Sequence, residues 1–66
     1  MEKKETTLKR VRASKGFTQK SLAEATGISL RTIQHYEQGF KNINQASALT
    51  VYRLAEALNT TVGELL

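Results

Sequence analysis

Residues 18–39, TQKSLAEATGISLRTIQHYEQG, constrain this chain more than any other stretch. Thr18 can cap a helix through its hydroxyl, and residues 19–25 are mostly good helix formers. Gly27 follows, and glycine takes the left-handed conformation that ends a helix without steric cost. Ile28 is apolar and is expected to turn into the core, while Ser29 can cap a second helix. The pattern predicts helices over residues 19–25 and Leu30–Gln38, joined by three or four residues with glycine in the joint. Gly39 then closes the second helix.

Two helices joined this way form either a helix-turn-helix unit or an ordinary helical hairpin. The faces of the second helix bear on the choice. At about 100° per residue, Ser29, Ile33, Tyr36 and Glu37 fall on one side. Arg31, Gln34, His35 and Gln38 fall within an arc of roughly 100° on the other. That outer set contains no acid and no large apolar group. In the major groove of DNA, Arg pairs with guanine edges and Gln with adenine edges. A merely solvated face is the common alternative for a polar stripe, but its position after a glycine joint favours recognition.

The 66 residues allow one domain, spanning 1–66, with a limited core. There is no Cys, so disulfides and thiolate metal sites are unavailable. With no Asp and a single His, neither a Ser-His-Asp nor a Cys-His arrangement can be built in one chain. No Gly-rich phosphate loop is present. An enzyme is therefore not expected, nor is a cofactor or a bound metal. No apolar run approaches the ~18 residues that span a bilayer. The opening MEKKETTLKR has no apolar core of a secretory signal behind it. A cytoplasmic protein with no membrane partner is the expectation. The net charge of +4 is uneven: residues 1–41 hold nine bases and four acids, and residues 42–66 one base and two acids. The basic excess accompanies the proposed reading helix, as phosphate binding requires.

Around that unit the chain reads as helical throughout. Residues 1–5 form a charged lead, expected to fray. A first helix fits residues 6–15, with Leu8, Val11 and Ala13 as candidates for its apolar face and Gly16 as its end. Phe17 anchors the connection in the core, and Leu22 and Ala23 point inward from the second helix. Phe40 to Gln45 reads as a linker, polar apart from Phe40 and Ile43. A fourth helix fits residues 46–58, where Leu49, Tyr52, Leu54, Ala55 and Leu58 recur at helical spacing. Thr61 and Glu64 have the spacing of a capping box, opening a last turn that carries Leu65 and Leu66. The fold class expected is all-α: a compact bundle of five helices without a strand.

Three segments, LKRVRASKGFTQKSLAEATGIS, RTIQHYEQG and LTVYRLAEALNTTVGELL, resemble the Cro/repressor helix-turn-helix family in order, spacing and length. This is the xenobiotic-response-element family of bacterial and phage regulators, and the resemblance covers about Leu8 to Leu66. It implies a lambda-repressor-like five-helix bundle, with the helix-turn-helix formed by helices 2 and 3. By position, it implies that Leu30, Arg31, Thr32 and His35 approach base edges, with Gln34 beside them. Gln19 would contact a phosphate and buttress the reading helix. Arg12 and Glu37 would form a largely buried ion pair, and Lys41 and Asn42 would lie in a loop that grips the sugar-phosphate backbone. The chain departs from the family where Ile43 replaces a frequent proline. Leu30 is also apolar at a commonly polar position, where it meets a thymine methyl or packs locally. His35 either donates to DNA or stands idle.

The function expected is sequence-specific binding of double-stranded DNA as a transcriptional regulator, most simply a repressor. Phosphate contacts would come from Gln19, Lys20, Gln38, Lys41 and Asn42. One module reads only a few base pairs, so useful specificity implies a homodimer on a palindromic operator. The outer edge of the fourth helix and residues 62–66 are the surface expected for it, the alternative being that those leucines only close the core. The alternative is a protein-interaction module, such as the antitoxin of a toxin–antitoxin pair.

Overall fold

Helix starts in this chain are set by hydroxyls. In the computed structural model, which describes residues 6–66, five α-helices each follow a Ser or Thr. These are α1 Thr7–Ser14, α2 Gln19–Thr26, α3 Leu30–Gln38, α4 Ala48–Ala57 and α5 Val62–Leu65. Thr6, Thr18, Ser29, Ser47 and Thr61 each accept from the backbone N–H three residues on. Each such bond satisfies one donor that a helix leaves free at its start. The expectations for residues 1–5 lie outside the described residues. No strand occurs among those described, so the all-α five-helix fold is as expected.

The joint between α2 and α3 depends on Gly27, at φ 75°, a conformation that a side chain would strain. Gly39 closes α3 in the same way at φ 84°. Thr26 reinforces the first joint: its buried hydroxyl donates to Leu22 O at 2.8 Å and accepts from Ile28 N–H at 3.2 Å. Together these bonds fix where α3 starts relative to α2.

The core comprises Leu8, Leu22, Ile33, Val51, Leu54, Ala55, Leu58 and Leu65, none more than 5% exposed. Val11, Phe17, Ala23, Ile28, Tyr36 and Ile43 pack around it. Helix α2 lies against both α3 and α4, and α1 against α3 and α5. Five helices thus share one apolar centre while the outer side of α3 stays open.

Several expectations are corrected. Helix α4 starts at Ala48, two residues later than expected, because Ser47 caps it and Ala46 is extended at ψ 159°. Its buried stripe is Val51, Leu54, Ala55 and Leu58, at spacings of three, four and seven. Leu49 and Tyr52, placed in that stripe from the sequence, are 57% and 54% exposed. They lie on α4's outer side, and Val51 takes the inward position. Ala13 is exposed, and so is Leu66 at the end of α5. The expected linker contains a 3-10 turn at Ile43–Gln45, which Asn42 caps through Oδ1. The Thr61 hydroxyl bonds Glu64 N–H as a capping box requires. The full reciprocal box forms at α2 instead, where Thr18 and Ser21 exchange backbone-to-hydroxyl bonds at 2.9 and 3.0 Å.

Candidate nucleic-acid interface

The open side of α3 is held from beneath by a polar cluster centred on Glu37. Its side chain is only 2% exposed, and it faces Arg12 of α1. Arg12 Nε donates to Oε2 at 2.6 Å and Nη2 to Oε1 at 3.1 Å, a two-pronged, charge-assisted contact. The remaining Arg12 branch, Nη1, donates to Phe17 O at 2.7 Å. One guanidinium thus ties α1, the α1–α2 connection and the last turn of α3 together. Gln19, the first residue of α2, adds a bond from Nε2 to Glu37 Oε1 at 2.9 Å. Among the described residues, no buried side-chain nitrogen or oxygen lacks a partner.

Above this cluster, Arg31 and Gln38 are exposed and His35 is half-buried. Gln34 lies on the α2 flank, where its Nε2 reaches Gln19 Oε1 at 3.4 Å. Thr32 lies on the opposite flank. Its hydroxyl accepts from Ser29 Oγ at 2.8 Å, and its N–H is capped by the same oxygen. Leu30 is 39% exposed at the start of the helix. Of the five candidate base-reading residues, Leu30 and Arg31 are thus exposed, and Thr32, Gln34 and His35 are half-buried.

The candidate phosphate contacts come from the start of α2, the end of α3 and the loop that follows it. Lys20, Gln38, Lys41 and Asn42 are exposed. Gln19 is half-buried and engaged with Glu37 and Gln34, which leaves one of its two N–H donors free. Asn42 uses Oδ1 to cap the 3-10 turn and keeps its amide N–H donors.

Phe40 has no assigned role in the sequence reading beyond an apolar residue in a polar linker. It is 75% exposed, and its ring meets His35 edge-on at 5.7 Å between centroids. The turn at Gly39 causes this meeting, because Phe40 and Lys41 N–H groups both donate to His35 O, at 2.9 and 3.2 Å. Only the pairing of Gly39's left-handed turn with a following aromatic could have signalled it.

A helix-turn-helix family model matches residues 8–65, which takes in all five helices but for Thr7, and the whole polar cluster. The chain belongs to the helix-turn-helix family. The match is of the Cro/repressor type that the sequence segments resemble. Searches of curated proteins and of solved structures return no match. Family membership makes the chain a DNA-binding domain of the transcription-regulator class, with double-stranded DNA as its partner. Among the described residues, no helix is long and apolar enough to cross a membrane.

Proposed function

We propose that this helix-turn-helix chain is a sequence-specific repressor that inserts α3 into the major groove of duplex DNA. The observation that carries this reading is the open side of α3, which presents Arg31, Gln34, His35 and Gln38 over a cluster tied to α1 and α2. Base readout needs side chains held in register, because a misplaced donor loses its partner and keeps its desolvation cost. In this docking the start of α3 points toward the bases and α2 crosses the backbone. Arg31 meets guanine, Thr32 and His35 add donors, and Leu30 lies within reach of a thymine methyl. Gln19, Lys20, Gln38, Lys41 and Asn42 set the register on phosphates without reading sequence. Repression is the simplest consequence of occupancy, since a bound protein excludes others from the same stretch of duplex.

A second copy on a palindromic site completes the proposal. Tyr52, Val62 and Leu66 are exposed apolar groups that line one groove with Ile43, Ala46 and Val51. A surface of that kind on a small domain suits contact with another protein chain. Selection from a random duplex pool tests the whole reading. The expected result is an enriched site with two inverted half-sites about one helical turn apart. Enrichment of no sequence, with binding equal on all duplexes, would overturn it.

A further inference from the structure

We infer that the hydrogen-bond chain Glu37–Gln19–Gln34 makes Gln34 a reader of adenine in preference to guanine. Gln19 and Glu37 act as positioning residues. The inference rests on the major-groove docking proposed above and adds which base one side chain selects, and why.

A glutamine amide has a donor end and an acceptor end of nearly equal size, so its reading depends on which end faces the duplex. Here the choice propagates from the buried ion pair. Arg12 can only donate, and the Glu37 carboxylate it holds can only accept. Gln19 must therefore turn its amide nitrogen to Glu37, as the 2.9 Å bond has it. Its carbonyl end is left for Gln34, whose Nε2 lies 3.4 Å away. That last bond is long, yet its sign is clear, since a flipped Gln34 would set two carbonyl oxygens against each other. Every donor in the chain points toward Glu37, and acceptor capacity collects at its outer end.

The outer end is Gln34 Oε1, with the second N–H of Nε2 beside it. In the major groove the base donors are adenine N6 and cytosine N4, and only adenine carries an acceptor, N7, next to its donor. Guanine presents two acceptors, N7 and O6, and so opposes the free oxygen. An unrestrained glutamine could flip to satisfy either purine. A polarised one satisfies both its free groups on adenine alone.

The test compares wild type, Gln34→Met and Gln19→Met by selection from a random duplex pool, with thermal midpoints measured alongside. Wild type is expected to prefer adenine over guanine about tenfold or more at one base pair of each half-site. Gln34→Met abolishes that preference there and nowhere else. Gln19→Met keeps chain length but removes the amide, so the adenine-to-guanine ratio at that position falls severalfold toward unity. Preferences at the other positions stay in place, and the lost phosphate donor weakens all sequences alike. A purely structural Gln19 would instead lower the thermal midpoint or the overall affinity and leave the ratio unchanged, which would overturn the inference. Replacing the selected adenine by purine, which lacks the N6 amino group, gives a readout with the unaltered protein. Wild type should lose roughly tenfold in affinity and Gln34→Met nothing. No loss by wild type would also defeat the inference. If wild type enriches no sequence, the docking itself is wrong, and this inference falls with it.

Discussion

The two sides of this small bundle are held by different forces. On the α4 side, Val51, Leu54, Ala55 and Leu58 are packed into an apolar centre, and cohesion comes from removing hydrocarbon from water. On the α3 side Ile33 is the one fully buried apolar residue of the helix, with Tyr36 packed beside it, and the second buried residue is a glutamate. There Arg12, Gln19 and Glu37 share directional bonds between 2.6 and 3.1 Å. Apolar packing is non-directional and tolerates swaps that conserve volume. A two-pronged guanidinium–carboxylate contact tolerates none, because its geometry is its strength. The lesson is a division of labour: α4 supplies stability that many sequences could supply, whereas the Glu37 cluster supplies the orientation of α3.

The sharpest way to break that contrast is to remove one partner of the ion pair. Arg12→Met would strand the Glu37 carboxylate in a site that is nearly closed to water. The expected loss is about 3–5 kcal/mol of stability in urea unfolding. A domain of this size has in total only about 3–10 kcal/mol. A loss below about 1 kcal/mol would mean the pair is more solvated than its burial indicates. Leu54→Ala probes the other side, with an expected cost of about 2–5 kcal/mol from lost transfer energy and a cavity. The two variants differ in repair. Leu54→Met should regain most of the loss, whereas Arg12→Lys should regain little, because an ammonium cannot make the forked contact.

These forces also determine how far the sequence could be read. The starts of α2, α3 and α5 were legible because Thr18, Ser29 and Thr61 each lie three residues ahead of the N–H they accept from, a purely local rule, whereas α4 was placed two residues early with its Ser47 cap unrecognised. The ends at Gly27 and Gly39 were legible for the same reason. The Arg12–Glu37 pair was not legible from spacing, since 25 residues separate the partners and no local rule links them. Only the family resemblance suggested it. Helix α4 was misread in detail because it carries two apolar stripes, and composition cannot say which one faces inward. Tertiary packing against α2 and α5 decides for Val51 over Leu49 and Tyr52. The Gln19–Gln34 and His35–Phe40 contacts depend on how α2 and α3 cross and on the turn at Gly39, and neither is encoded within a single helix.

A comparison within the proposed interface sharpens the distinction between reading and gripping. Arg31→Ala should cost about 1–3 kcal/mol on the preferred site and relax the preference at one base pair. Lys41→Ala should weaken binding to all sequences alike and reduce the slope of log affinity against log salt by about one unit. Titrations of both variants on preferred and scrambled duplexes, at several salt concentrations, separate the two effects. Identical behaviour on every duplex would remove the assignment of Arg31 to bases and Lys41 to phosphate.

The smallest effect is expected at Leu49, and it bears most directly on the corrected face of α4. A leucine at 57% exposure has already left most of its surface in water, so replacing it forfeits little burial. Leu49→Gln should shift unfolding stability by no more than about 0.5 kcal/mol, as surface changes usually do. Glutamine is also nearly as good a helix former as leucine, so the backbone term is close to neutral. Had the stripe lain where the sequence pattern first placed it, the same change would put an amide into the core at a cost of several times that. A urea titration of Leu49→Gln beside Leu54→Ala therefore reads the rotation of α4 in solution: the two midpoints diverge if Val51 faces inward and converge if Leu49 does.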